Sequence, residues 1–193
     1  MKNFLSSTLF LAFSILILIS CKDDDAEPKL EFQTDNKTIS LKEAKLYLRV
    51  QGGYEGAVNY TYRDYMISDG ELLPDKNGFS LDHYSNATYF IALEVASANP
   101  NLPMAGDYTL HRFWDNVTDG SNLSYIFGGF EDKTVDTPDS GTKSPLIIKG
   151  GLEPGQTMTI DFDGEIAYRS ASGALTPFNG KLNFTGVVID KRD

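Results

Sequence analysis

The chain of 193 residues carries 27 acidic and 17 basic side chains, which gives a formal net charge of −10. Proteins that bind nucleic acid need a basic surface to displace counterions, so this charge argues against DNA or RNA as a partner. The same acidity argues against a protein that lies flat on anionic lipid. We therefore expect a partner that is neutral, cationic or bridged by a metal.

The first twenty residues have the layout of a secretory signal. Lys2 precedes an uncharged apolar run over residues 4–19, and the small residue Ser20 ends it. A helix needs about 20 apolar residues to cross a membrane. This run is shorter and is interrupted by serines and a threonine. We therefore expect residues 1–20 to be cleaved rather than kept as a membrane span.

Cys21 is the single cysteine of the chain. A secreted domain held by disulfides would show several cysteines, so Cys21 indicates a different chemistry. The sequence Leu18-Ile19-Ser20-Cys21 resembles the lipobox of bacterial lipoproteins, in which the cysteine is diacylated on sulfur and exposed by signal peptidase II. The resemblance implies a lipid attached at Cys21. Two or three acyl chains make a durable membrane anchor, whereas a single chain binds only marginally.

A short charged segment follows the cysteine and consists of Lys22, Asp23, Asp24 and Asp25. It resembles the acidic export signal that marks surface lipoproteins of Bacteroidota for the outer face of the cell. The resemblance implies a protein anchored in the outer membrane through its lipid and facing the exterior. A run of like charge also makes a solvated tether. We therefore assign residues 21–29 to the lipidated cysteine and its acidic tether.

Residues 30–193 are predicted to form a single all-β domain, because apolar residues alternate and turn signals recur at short intervals. We expect an antiparallel β-sandwich, with a β-barrel as the alternative. The predicted strands cover 30–34, 37–50 with a break, 57–67, 87–97, 106–113, 123–131, 144–150, 156–163, 165–171 and 181–190.

Two of these strands carry further information on the sheet. Ile39 has the opposite parity to Leu46, so a bulge or turn near Lys42-Glu43 is required if both face one core. The segment "ATYFIALEVA" is apolar on both faces apart from Thr88 and Glu94. Such a strand is covered on both sides, and we predict it at the middle of the sheet.

Two glycine dipeptides near the C-terminus predict hairpins. Asn179-Gly180 suits a two-residue type I′ turn, which would pair Leu175 with Phe184. At Asp163-Gly164, a three-residue loop over 163–165 gives a better hydrophobic register than a two-residue turn, because it pairs Phe162 with Ile166.

Three stretches of the domain, "PMAGDYTL", "GQTMTIDFDGEIAY" and "NGKLNFTG", are similar to small all-β lipoprotein domains that are common in Bacteroidota. The resemblance implies a sandwich and supplies no catalytic residue.

Candidates for catalysis are few. His83 and His111 stand 28 residues apart, and no serine-hydrolase elbow or zinc-binding His-Glu-x-x-His pair accompanies them. Asp161 and Asp163 share one strand face about 6.6 Å apart, which an inverting glycosidase could use. Carboxylates beside a glycine are more often turn formers. We therefore predict no enzyme.

Acidic loops raise the question of calcium. Residues 115–122 resemble the start of an EF-hand loop, but Val117 and Ile126 occupy positions that need oxygen ligands. Asp132, Asp136 and Asp139 could gather around an ion, although solvated acid is the more common state of such a loop. We predict no metal site and no cofactor.

Aromatic side chains give the binding hypothesis. Sugars stack their C–H faces on flat rings while polar neighbours take the hydroxyls. The candidate ligand-binding residues are Tyr60, Tyr62, Tyr65 and Trp114, and the alternative is that these rings belong to the core. The sequence thus predicts a non-catalytic surface module that binds a glycan or a protein. The alternative function is a structural or assembly subunit of a surface complex, in which a sheet edge receives a donated strand.

Overall fold

In a computed structural model, the described residues are 29–33, 38–41, 43–54, 59–72, 84–85, 87–98, 103–111, 122–130, 133–138 and 145–192. The strands within these ranges are β1 (Lys29–Gln33), β2 (Thr38–Leu41), β3 (Lys45–Tyr54), β4 (Tyr60–Ser68), β5 (Glu71–Leu72), β6 (Tyr84–Ser85), β7 (Tyr89–Ser97), β8 (Gly106–Leu110), β9 (Asn122–Phe130), β10 (Lys133–Asp136), β11 (Pro145–Gly150), β12 (Thr157–Arg169) and β13 (Leu175–Asp190).

The predicted all-β class is confirmed. Eleven strands form one sheet in the order β10-β12-β11-β8-β9-β7-β4-β3-β13-β1-β2, and β5 pairs with β6 separately. Further pairings join β12 to β13 and β9 to β10, so β12, near one end of the order, also pairs with β13, near the other, over a shared core in a sandwich-like arrangement. The sheet is mixed rather than purely antiparallel, because β13 runs parallel to β3 and β8 runs parallel to β9.

The core follows from the two-residue period of the strands. Along β13, every second residue from Phe178 to Val188 is buried, and the alternate residues face outward. The large apolar side chains of this buried row are Phe178, Leu182, Phe184 and Val188. These side chains pack in one cluster with residues of β3, β4, β7 and β11. Burying each large apolar side chain contributes roughly 1.5–3 kcal/mol, so the alternation of β13 alone ties the C-terminal strand firmly to the rest.

The strand predicted to be central is β7, with five strands on either side in the order. The predicted break before β3 is also present, since β2 ends at Leu41 and β3 begins at Lys45. Ile39 and Leu46 are both buried in the same core, as the parity argument required. A second irregularity shifts the register between Leu48 and Val50.

The two predicted C-terminal hairpins are wrong. β12 continues through Asp163-Gly164 and β13 continues through Asn179-Gly180, and the two glycines face each other in a single antiparallel ladder. Phe184 pairs with Ile160 rather than with Leu175. One long register buries the apolar residues of both strands at once, which outweighs two local turn preferences.

The chain reverses instead at residues 170–174. The backbone N–H of Gly173 donates to the carbonyl of Ser170, at 2.9 Å, and the N–H of Ser170 donates to the carbonyl of Ala174 at the same distance. Gly173 has φ of 84°, a left-handed conformation that glycine adopts without steric cost. A glycine is therefore needed at this turn, although the sequence signals at the other two dipeptides were stronger.

Candidate functional site

The residues predicted to bind or anchor fall into two groups. Cys21, Lys22, Asp23, Asp24, Asp25 and Trp114 lie outside the described residues. Tyr60, Tyr62 and Tyr65 all lie on β4. The positions of these three tyrosines therefore decide which of the candidate ligand-binding residues can contact a ligand in the described part of the chain.

The three tyrosines do not share one exposed face. Tyr65 points into the main core, is fully buried, and donates its hydroxyl to the carbonyl of Leu152 at 2.9 Å. Tyr60 is only 3% exposed, so its ring offers no open face to a ligand. Tyr62 is partly exposed. Of the three, Tyr62 is the residue positioned to contact a ligand.

Tyr62 lies on the side of the sheet opposite the main core. Met66 follows Asp64 by two positions on β4 and lies on the same face as Tyr62. There it packs with Tyr47 in a second, smaller apolar cluster. Phe90 and Ala92 are partly buried against this cluster. This second face of the sheet is half-covered, so polar groups on it lie between water and the apolar interior.

A pair of carboxyl groups occupies this second face. Asp64 of β4 stands directly opposite Glu94 of β7 in the antiparallel ladder, and side chains in such positions have Cβ atoms roughly 4.5–5.5 Å apart. Arg49 Nη2 contacts Asp64 Oδ2 at 2.5 Å. Tyr125 of β9 stands opposite Glu94 on the other side. We refer to Arg49, Tyr62, Asp64, Glu94 and Tyr125 as the carboxylate–tyrosine cluster.

Burial dominates the electrostatics of this cluster. It raises the pKa of Glu94 to about 7, with the charge of Asp64 adding to the rise and Arg49 opposing it. Burial also raises the pKa of Asp64 above its ordinary value, again against the effect of Arg49. Near neutral pH, Glu94 therefore exchanges between a carboxylate that accepts hydrogen bonds and a carboxylic acid that also donates one.

Tyr62 responds to the same environment. Burial raises the pKa of its phenol, and the carboxyl groups of Glu94 and Asp64 raise it further. The hydroxyl of Tyr62 therefore stays protonated at neutral pH and remains a hydrogen-bond donor. Together the cluster presents donors, acceptors and a partly exposed ring in one place.

Sequence reasoning missed the carboxyl pair, although one signal was visible. Glu94 is the acidic residue of an otherwise apolar central strand, and glutamate is almost never buried unless it is paired or functional. Asp64 could not be linked to it, because the two residues are thirty positions apart and meet only through strand pairing. Their contact depends on long-range register, which local patterns do not contain.

Asp161 and Asp163, considered as catalytic acids, lie mid-strand on the solvent side of β12. Lys181 Nζ contacts Asp163 Oδ2 at 2.6 Å, and Asn183 Nδ2 donates weakly to Asp161 Oδ1 at 3.5 Å. With Glu31 these residues line an open groove of about 270 Å³. Each aspartate has a polar neighbour on the adjacent strand β13, as on an ordinary solvated sheet face.

The metal and histidine candidates are placed as follows. Asp136 is fully buried and bonded to Arg169, while Asp132, Asp139 and His83 lie outside the described residues. His111 is half-buried at the end of β8. Within the described ranges, no three His, Cys, Asp or Glu side chains come together as a metal site.

Comparison with known proteins adds no relative. No protein-family model, curated protein or solved structure matches the chain. In the described part of the chain, no helix has the length and apolar character needed to cross a membrane.

Proposed function

We propose that this protein is a lipid-anchored, non-catalytic binding module of the outer membrane surface, and that the carboxylate–tyrosine cluster binds a neutral glycan. The observation that carries the proposal is the opposition of Asp64 and Glu94 on a half-buried sheet face. Tyr62 lies beside them and is partly exposed. Ring and carboxyl groups together are the chemistry that sugars require.

The carboxyl pair is costly for stability, which supports a functional role. Like charges directly opposite each other in a sheet are destabilising, and partial burial of Glu94 adds a desolvation penalty. A pair of opposite charges or of apolar residues would stabilise the same position. Local conflicts of this kind are concentrated at functional sites.

A sugar fits the hydrogen-bonding capacity of the cluster. Each sugar hydroxyl both donates and accepts, and Glu94 near its pKa of about 7 offers both functions. Asp64 is buried and accepts from Arg49, which holds it beside Glu94. The partly exposed ring of Tyr62 offers a flat surface to the C–H face of a pyranose. Neutral ligands suit the site best, because anions would be repelled by the carboxylates.

The anchor proposal depends on the N-terminal sequence. Lipidation at Cys21 would put Lys29, the first residue of β1, eight positions along the chain from the acylated cysteine. A fully extended chain of that length spans at most about 28 Å. The domain would therefore stay close to the membrane, where it could receive glycans at the cell surface.

Binding to a broad panel of neutral glycans tests this proposal. The full chain, purified in mild detergent, should bind one class saturably, and Tyr62→Ala and Glu94→Gln should each weaken that binding at least tenfold. Glu165→Gln is the matched control, because Glu165 is exposed on β12 and makes the same chemical change elsewhere. Repeating the binding measurement with calcium and with a chelator shows whether glycan binding depends on a metal ion.

Two outcomes would overturn parts of the proposal. Cleavage of a bound oligosaccharide would show that the carboxyl pair is catalytic. Absence of glycan binding under all conditions would favour the assembly role, to be pursued by crosslinking at the cell surface. Among the described residues, the last strand in the sheet order is β2, which has four residues and so offers a short edge for a donated strand.

A further inference from the structure

Arg63 is a fully buried arginine, with 2% of its surface exposed. It precedes Asp64 on β4, so its side chain lies on the opposite side of the sheet from the carboxylate–tyrosine cluster. It occupies the same side as Tyr65 and Ile67, which belong to the main core. A buried guanidinium needs partners for five N–H donors, and arginine is seldom buried without a charged partner.

The contacts of Arg63 include one charged group. Its Nη2 forms an ion pair with Oε1 of Glu153. Its Nε donates to Gln51 Oε1 and its Nη1 donates to the carbonyl of Pro103, both at 3.4 Å, which is beyond the usual length of a hydrogen bond. Tyr65 also forms a side-chain hydrogen bond with Arg63, so Glu153 is the charged partner of Arg63 rather than its sole close contact. The side chain of Glu153 is itself 51% exposed. An exposed carboxylate on a loop can leave the arginine without rearrangement of the core.

Two buried tyrosines form hydrogen bonds to the backbone segments that lie beside this guanidinium. Tyr108 donates its hydroxyl to the carbonyl of Met104 at 2.5 Å, and Tyr65 donates to the carbonyl of Leu152. The segments around Met104 and Leu152 flank Arg63 in an open pocket of about 370 Å³. That volume lies within the range of roughly 300–1,000 Å³ seen for small-molecule sites.

Two glycines form part of the pocket lining. Gly150 has φ of 83°, and a Cβ there would come within 2.3 Å of the carbonyl oxygen of Thr157. A Cβ on Gly151 would come within 2.2 Å of the Gln156 side chain. These contacts show that Gly150 packs against the backbone of Thr157 and that the side chain of Gln156 covers part of Gly151. The side chain of Met104, 65% exposed, provides apolar surface at the same pocket.

We propose that this pocket binds the carboxylate of an acidic sugar, which replaces Glu153 on Arg63. Glu153 shows that the guanidinium accepts a carboxylate, and it does so through one oxygen on one nitrogen. A ligand carboxylate can instead use two parallel N–H donors, the arrangement that arginine favours. The apolar surface of Met104 suits a pyranose ring, and Gln156 and Glu153 offer polar groups to its hydroxyls.

A second guanidinium lies nearby and is itself paired, since Arg192 Nε and Nη2 donate to the carboxylate of Asp190 at 2.9 and 2.8 Å. Arg192 Nη1 donates to Gln51 Oε1 at 2.8 Å, the same oxygen that Arg63 approaches. Two arginines therefore converge on one side chain in a chain whose formal net charge is −10. This site lies apart from the carboxylate–tyrosine cluster, and it is independent of the function proposed above.

Calorimetric titration of the full chain with glucuronate, against glucose as the neutral match, tests the inference. Glucuronate should bind and glucose should not. Glu153→Gln should tighten glucuronate binding about tenfold, because it removes the charged competitor. Arg63→Gln should abolish binding. Glu165→Gln, an exposed glutamate outside the pocket, should leave the affinity unchanged.

Thermal stability gives a second test, which does not require the Arg63→Gln variant to fold. In Glu153→Gln the buried guanidinium has lost its charged partner, so saturating glucuronate should raise Tm more than it does in the parent protein. Equal binding of glucose and glucuronate, or no gain from Glu153→Gln, would overturn the proposal. Binding of a short peptide with a free C-terminus, but not of glucuronate, would overturn the assignment to a sugar.

Discussion

Asp64 and Glu94 lie directly opposite each other on β4 and β7, two carboxyl groups on the same half-buried side of the sheet. Burial raises the cost of ionising both groups, and the charge of Asp64 raises it further for Glu94. The pKa of Glu94 is thereby raised to about 7. This shift makes the stability of the fold depend on pH.

The free energy of unfolding should fall as pH rises through this region. The pKa of Glu94 moves from its ordinary value of 4.5 to about 7 on folding, so between these values the folded state holds a proton that the unfolded state has released. The contribution of the Glu94 carboxyl group to the free energy of unfolding is complete below about pH 4.5 and is lost by about pH 7. Glu94→Gln should be the more stable protein at pH 8 by on the order of 2 kcal/mol, measured by denaturant unfolding.

Comparison at two pH values separates this effect from ordinary packing. At pH 4.5 the parent protein and Glu94→Gln should differ little, because both carry a neutral side chain there. Glu165→Gln should show no such change with pH, since Glu165 is exposed. A stability gain in Glu94→Gln that is the same at both pH values would contradict the assigned pKa.

Replacing Gly180 tests the continuous ladder of β12 and β13. A Cβ at this position would lie 2.6 Å from Cδ1 of Ile166, within the core. Gly180→Ala should destabilise the protein by about 1–3 kcal/mol, the usual cost of overpacking. Gly53→Ala is the matched control, because its Cβ would meet only the carbonyl oxygen of Tyr60 at an ordinary 3.7 Å. Equal stability of both variants would contradict the described register.

The strand pattern could be predicted from the sequence because it depends on local alternation. The central position of β7 followed from apolar residues on both of its faces, and the break before β3 followed from the change in parity after Ile39. The two predicted hairpins were wrong because the prediction used only local sequence signals. A glycine dipeptide reports local flexibility, whereas the pairing of Gly164 with Gly180 is decided by the burial of residues on both long strands.

The candidate site was less accessible to prediction than the fold. Of the predicted tyrosines, Tyr65 is a core residue because it lies on the opposite face of β4 from Tyr62, and a bare sequence does not say which face meets the core when both are apolar. Arg63 shows the same difficulty, since a charged residue on a strand is ordinarily assigned to solvent. Its burial depends on Glu153, ninety residues away.

Asp136 and Arg169 form a buried ion pair whose loss should be severe. The carboxyl group of Asp136 is fully buried and accepts from Arg169 Nε at 2.6 Å. Arg169→Gln removes the cation and should cost about 3 kcal/mol or more. Lys181→Gln removes the exposed partner of Asp163 and should cost less than about 1 kcal/mol. Denaturant unfolding compares the two, and a similar loss in both would contradict the burial of Asp136.

The anchor is tested on intact cells. Cys21→Ser should abolish incorporation of a labelled fatty acid, because the thiol is the atom proposed to be acylated. Protease added outside should remove the domain of the parent protein, and replacing Lys22, Asp23, Asp24 and Asp25 with alanine should protect it. Resistance of the parent protein to the protease would contradict exposure at the cell surface, while continued labelling of Cys21→Ser would contradict the lipid attachment.

Tyr65 and Tyr62 should separate stability from binding. Tyr65→Phe removes the hydroxyl that donates to the carbonyl of Leu152 at 2.9 Å and leaves that buried carbonyl short of a partner. The expected loss is about 1–2 kcal/mol of unfolding free energy, with neutral-glycan affinity unchanged, because Tyr65 faces the core. Tyr62→Ala should show the converse, a small change in stability and a large loss of affinity. If Tyr65→Phe weakens glycan binding as much as Tyr62→Ala does, the ligand does not bind the second face of the sheet.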